Sequence, residues 1–200
     1  FRGERLQELK KQGATFSYQG LTSFCRRHAL VRPPDPPAGH YDFGPAVEMQ
    51  HDTSPHDARI GTETRRVQTA SLVFCYSRMI YVQLYPRFTR FQCKSFLTDA
   101  LKYFGGACTR CMIDNTHVVV LAGTGREMAA VPEMEAFGER FGFIFVAHER
   151  GDADRKGRVE RPFHFIERNF LAGRTFADFA ELNREAVAWC DRQNSAFKRH

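Results

Sequence analysis

The chain has 200 residues, 42% hydrophobic and 13% aromatic with nineteen Phe, enough for one sizeable domain or a smaller one with appendages. Charged residues make up 26% and nearly balance, leaving a net +6 that mildly favours an anionic partner such as nucleic acid. With no signal peptide and no eighteen-residue apolar span, the sequence argues against a secreted or helix-anchored protein and leads to the expectation of a reducing, cytoplasmic setting.

In chain order, residues 4–12 and 17–28 read as two short helices around Gly13, lined by Leu6 and Leu9 and by Tyr18, Leu21, Phe24 and Cys25. With Arg26 and Arg27 they suit the end of a helix-turn-helix, a pattern that any helical hairpin with two arginines would share. RPPDPPAGH, residues 32–40, imposes extended, semi-rigid chain and marks the best domain boundary. The chain opens on Phe1 without Met and closes on a polar helix, so a fragment is expected.

Beyond the linker, Val47, Met49 and His51 alternate with Glu48, Gln50 and Asp52, the period of a strand ending at HDTSPH. Residues 66–76 and 79–85 suggest a hairpin around Ser77-Arg78. Residues 89–103 read as a helix with Phe91, Leu97, Leu101 and Phe104 on one side and Gly105-Gly106 as its stop. RCMID, residues 110–114, is a short strand, and 115–131, containing Gly123 and Gly125, a flexible loop. Pro132 opens a helix that Gly142 closes, and FIFVA, residues 143–147, reads as a strand buried on both faces. Val159, Phe163, Ile166 and Phe170 form a helical apolar stripe, with Pro162 in the first turn. Thr175 with Asp178 resembles a cap for a last helix carrying Phe176, Phe179, Leu182, Ala186 and Trp189. The order predicts a mixed sheet with helices on its faces, its first three strands an antiparallel meander.

The six cysteines are scattered, and Cys108 with Cys111 forms a single CxxC; no second pair follows, so two thiols leading into a strand are favoured over zinc. Three acids carry more. Asp52 is expected at the end of the first strand, Asp114 at the end of the fourth, and Glu160 in the first turn of the helix after the fifth, among Arg155, Lys156, Arg158 and Arg161. Singly, each suits a turn or a helix dipole. If strands one and four are neighbours, the three converge, and converging carboxylates repel unless a cation joins them. Oxygen-only ligands select Mg²⁺, with Mn²⁺ as substitute, and two such ions suit phosphodiester chemistry. His51, His56, His117 and His148 near these strand ends read as structural or DNA-contacting.

HDTSPH, SLVFCYSRMIYVQLYPRFTRF, MIDNTH and DRKGRVERPFHFIERNFLAGRTFADF resemble the IstA-type transposases of bacterial insertion sequences over nearly the whole chain. The resemblance implies a ribonuclease H-like, five-stranded mixed sheet flanked by helices, of the DDE transposase and retroviral-integrase superfamily, preceded by a short helical DNA-binding segment. It implies that Asp52, Asp114 and Glu160 are the catalytic and metal-holding acids, with Arg26, Arg27, Arg155, Lys156, Arg158 and Arg161 on DNA. The domains expected are 1–31 as the end of a helix-turn-helix region, 32–44 as linker, 45–174 as catalytic core and 175–200 as a helix leading onward. The activity implied is metal-dependent cleavage at transposon ends and transfer of the 3′-hydroxyl into target DNA. The partners implied are double-stranded DNA, further copies of the chain and an IstB-type AAA+ ATPase, in a bacterial, nucleoid-associated setting. The alternatives are a nuclease that only hydrolyses and a DNA-binding regulator without chemistry.

Overall fold

The computed structural model describes residues 7, 10–11, 13, 15, 17–28, 30, 44–114, 116–123, 127–147 and 162–196. Helix α1, Tyr18–Arg27, answers the second predicted helix; most of the first and residues 32–43 of the linker lie outside the described residues.

Strand β1, Glu48–Ile60, turns through Gly61 into β2, Glu63–Phe74, and β2 pairs in turn with β3, Ile80–Tyr85. The meander is antiparallel, as the short turns between its strands require. Helix α2, Arg90–Phe104, follows; Gln92 Oε1 accepts from the Thr89 N–H at 3.2 Å, and Gly105 at φ 76° closes the last turn. Its buried stripe is Cys93, Phe96, Leu97, Ala100 and Leu101, an i, i+3, i+4, i+7, i+8 series. Phe91, expected on that stripe, is 68% exposed, because six residues put it about 120° around the helix from Leu97 and off the buried stripe.

Strand β4, Arg110–Ile113, is parallel to β1, and the flexible loop expected at 115–131 contains instead a hairpin of β5, Val120–Ala122, and β6, Ala129–Ala130. Gly123 belongs to that turn by necessity: at φ +78°, a Cβ there would lie 2.1 Å from the Glu127 carbonyl oxygen. Helix α3, Pro132–Phe141, starts on its proline, and Gly142 at φ 79° ends it. Strand β7, Ile144–Ala147, is an edge strand next to β4, not one buried on both faces, and its Ile144 is 60% exposed.

Helix α4 runs over 162–166 and widens into a π-helical turn at Glu167–Leu171. Phe163, Ile166 and Phe170 are buried, as the stripe predicted; Val159 lies outside the described residues. Thr175 is not a cap but part of β8, Thr175–Phe176, which pairs parallel with Arg59 and Ile60 of β1. The cap of helix α5, Phe179–Ala196, falls to Asp178, whose Oδ1 accepts from the Glu181 N–H at 2.7 Å. The main sheet runs β3-β2-β1-β4-β7, the five strands expected, with β8 as a sixth against β1.

The sheet separates two apolar cores. One, around Phe96, Leu97, Met134 and Phe145, lies beneath α2 and α3; the other, around Leu84, Phe163, Phe170 and Trp189, lies beneath α4 and α5. Phe176, Leu182, Ala186, Trp189 and Cys190 build the last helix and the strand before it into the second core. Asn183 and Asn194 of α5 each treat the free edge of β3 as a strand would. The Leu84 N–H donates to Asn183 Oδ1 (2.8 Å), and Asn183 Nδ2 donates back to the Leu84 carbonyl (2.9 Å). Asn194 repeats this on Ile80 at 2.8 and 3.0 Å. An exposed β edge is otherwise a template for pairing with another chain. Replacing Asn183 by Leu should cost about 1–3 kcal/mol in urea unfolding, because two backbone groups lose their partners, and should increase light scattering near the unfolding midpoint. Stability equal to wild type would show that water replaces the amide without loss.

Candidate active site

The last pair in the parallel ladder is His51 with Ile113, so Asp52 and Asp114 are the next residues on adjacent strands. Strands about 4.8 Å apart and a side-chain period of two put both carboxylates on one sheet face at the carboxyl end of β4. The sequence placed Asp52 at the end of its strand; it sits within one, because β2 continues to pair with β1 well past it, with Ser71 opposite Asp52. What ends there is the parallel partner. The two acids open into a cleft of about 510 Å³, lined also by Gln68, Arg87, Phe88, Thr116 and His117.

The surroundings of Asp52 make its charge costly. Burial foremost, with a smaller push from Asp114, raises its pKa from 3.8 to about 7, although the Thr53 N–H donates to its Oδ1 at 2.7 Å and pulls the other way. Burial depresses His51 to about 4, so it stays neutral. Its Nδ1–H donates to the Ser71 carbonyl at 3.0 Å, which leaves Nε2 to face the Cys93 thiol at 3.7 Å. Cys93 is fully buried and its pKa is pushed up to about 12 by burial, so it stays a thiol. His56, four residues beyond Asp52, is also spoken for: Nδ1 meets Thr69 Oγ1 at 2.9 Å and its ring lies 5.7 Å from that of Phe163.

Two adjacent carboxylates, one held near neutrality by burial and by the other's charge, with the neighbouring imidazole and thiol turned to other partners, form an oxygen donor set that fits a hard divalent cation. Among the described residues no group of three or more His, Cys, Asp and Glu side chains could hold a metal. The third expected acid, Glu160, lies outside the described residues, as do Arg155, Lys156, Arg158, Arg161 and the side chain of Arg26. Arg27 is exposed on α1 and does not line the cleft. Sequence reading missed Gln68 and Arg87 at the cleft, whereas His117, noted near a strand end, does line it; Arg87, beside Pro86 at the end of a predicted strand, carried the one usable signal.

The six-stranded sheet with helices on both faces is the ribonuclease H-like fold of retroviral integrase cores. The chain superposes on the simian T-cell lymphotropic virus intasome in complex with PP2A regulatory subunit B56 gamma with TM-score 0.55, at 16% identity, over 91% of this chain and 63% of that one. The HTLV-2 integrase catalytic core domain in complex with magnesium, in its trimeric form, gives 0.52 at 16% identity over 72% and 83%. No protein-family model matches. In sequence the chain is a relative of IS21-family insertion-sequence transposases. It is 23% identical over 183 residues both to the transposase for insertion sequence element IS640 of Shigella sonnei and to that for IS21 of Pseudomonas aeruginosa, matching 91% of this chain in each case. It spans 58% and 47% of their lengths.

The raised pKa of Asp52 has a sign that can be measured in cation-free protein. Its contribution to stability is fully present below the unfolded pKa of about 3.9 and is lost as pH rises through about 7. Asp52→Asn should therefore gain on wild type between pH 5 and pH 8, by about 1–3 kcal/mol in chemical denaturation. A gap that does not change with pH would mean that Asp52 is solvated in solution.

Proposed function

We propose that the chain is the catalytic core of a DNA transposase that cleaves at transposon ends and joins the resulting 3′-hydroxyl to target DNA. The observation that carries this is the parallel pairing of β1 with β4, which sets Asp52 and Asp114 side by side in an open cleft. The transposase relatives and the integrase-like fold support the same reading. Asp52, Asp114 and Glu160 are the proposed catalytic acids and would hold Mg²⁺, or Mn²⁺ in its place. When bound, such a cation lowers the pKa of the attacking group and stabilises the leaving oxygen.

The chain's own contributions can be derived from its residues. Asp52 and Asp114 fix the position of the cleavage site on two hydrogen-bonded strands, so it does not drift with loop motion. Asp52 gives up its proton on taking a ligand, and an unliganded site is thereby spared part of the repulsion between the two acids. Support for Glu160 comes from its chain neighbours. Phe163, three residues later, packs on His56, on the same face of β1 as Asp52, and three residues span at most about 10 Å. Arg155, Lys156, Arg158 and Arg161 would neutralise phosphates of the incoming strand, and Arg26 and Arg27 would contact DNA from the helical segment before the linker. Residues 1–31 would thus be the end of a helix-turn-helix region and 32–44 its linker. Pairing of two transposon ends calls for an oligomer, and an IstB-type AAA+ ATPase is the proposed partner in target choice, in the bacterial cytoplasm at the nucleoid. No helix of the described residues is long and apolar enough to cross a membrane.

The test is strand transfer of a labelled, pre-cut transposon end into plasmid DNA with Mg²⁺ or Mn²⁺. Asp52→Asn, Asp114→Asn and Glu160→Gln should each lower joining and cleavage by about 10³-fold or more and leave DNA binding near wild type. Binding lost in step with chemistry would sink the metal-holding role, and hydrolysis without joining by the wild type would make the protein a nuclease. Lys156→Ala and Arg158→Ala should weaken binding and reduce the dependence of log K on log salt by about one each. A slope equal to wild type would place those bases away from DNA.

A further inference from the structure

A metal held by the two acids would offset their repulsion of a phosphodiester but not fix the path of the strand, which a cation on the cleft wall would do. Among the described residues lining it, Arg87 is the single Lys or Arg. Neighbouring cations are already committed: Arg90 and Lys94 share Glu133, and the Arg90 Nε–H also donates to the Val118 carbonyl at 3.1 Å. Elsewhere Arg66 meets Asp57, Arg110 meets Glu48 and Arg174 meets Glu185. Arg87 has no such ion pair among the described residues, and it is exposed.

Its backbone, in contrast, is tightly held. Pro86 restricts the turn before it. Phe88, just after it, is half-buried, with its ring 5.9 Å from that of His51 and 5.5 Å from that of Tyr85. Thr89 then caps α2 through Gln92. The turn that joins β3 to α2 is thus fixed by packing on both sides while its one charged side chain is left at the mouth of the cleft. A purely structural arginine would be expected on a carboxylate or carbonyl. A guanidinium fork matches a phosphate in two parallel hydrogen bonds and is always charged.

We propose that Arg87 grips a phosphate of the DNA strand and sets that strand over Asp52 and Asp114, an assignment that rests on the transposase reading. Arg87 is a positioning residue: it touches the phosphate backbone, carries no sequence information and takes no proton.

The experiment compares full-length wild type, Arg87→Ala and Arg87→Lys in strand transfer with a pre-cut end, and in the salt dependence of binding to a short labelled duplex. In Arg87→Ala the KM for DNA should rise about tenfold with kcat changed far less, and the salt slope should fall by about one. Arg87→Lys should recover the slope, since charge is kept, and only part of the affinity, since the fork is lost. Because the side chain is exposed, all three should melt together. Arg87→Ala with wild-type KM and slope would overturn the assignment while leaving the transposase reading intact. A wild type that neither binds nor joins DNA would overturn both.

Discussion

Everything at the site depends on one strand being shared by three partners. β1 is paired along nearly its whole length by β2, and that pairing makes it stiff. Its other edge is divided: β4 covers Glu48 to His51, β8 covers Arg59 and Ile60, and no described strand pairs with it between them. Asp52 is the first residue of the uncovered stretch. It is held by one neighbour and open towards the other side, a position in which a carboxylate is fixed in direction yet reachable from solvent. Had β4 run one residue further, Asp52 and Asp114 would lie within a closed ladder; one residue less, and Asp114 would be free to move with the loop that follows.

The same geometry sets the electrostatics. The pairing that stiffens β1 also buries Asp52, and burial is what penalises its charge; the second acid beside it adds to the penalty. The surrounding groups are arranged so as not to relieve it. His51, next in the chain, is kept neutral by its own burial and turned to the Ser71 carbonyl, so it brings no charge to the site. Thr53 gives only one N–H. A carboxylate whose charge is penalised in this way is one whose charge a bound cation would relieve, in competition with the proton.

Much of this was legible in the sequence because it depends on short-range rules. Alternation marked β1, runs rich in Val, Tyr, Phe and Ile around Ser77-Arg78 marked β2 and β3, the i, i+3, i+4 stripe of Phe163, Ile166 and Phe170 marked α4, Pro132 and Gly142 bounded α3, and Asp-Asn marked the end of β4. The misreadings share a cause, which is that the deciding partner is far away in sequence. That β1 runs on past Asp52 is decided by β2. That β7 is an edge strand is decided by the absence of a neighbour beyond it among the described residues, which no local pattern records, so FIFVA looked fully buried. The β5–β6 hairpin hides in a glycine-containing stretch that differs little from a loop, and Thr175 is drawn into β8 by pairing with Arg59 more than a hundred residues earlier. Arg87 was legible as a residue but not as a lining group, since its role exists only once Phe88 is packed against His51.

The helix that follows Glu160 shows how the second core serves the first site. Its near end is tied to β1 where Phe163 meets His56, and its far end widens into a π-turn that buries Asn169, whose Oδ1 accepts the Trp189 indole N–H at 3.0 Å. Arg174 lies against both Phe170 and Phe176, about 5 Å from each ring, and pairs with Glu185 at 2.7 Å. A π-turn inserts one residue into a helix and so shifts its register, a distortion kept only where something compensates for it. Here the Trp189 bond does so, and the register it sets is that of the whole helix, Phe163 included. Through the same Trp189, α5 is fixed over the sheet, with Asn183 and Asn194 along the free edge of β3. The helix that seals that edge therefore also fixes α4, so substitutions in α5 far from the cleft should disturb stability and the packing of Phe163 on β1 together.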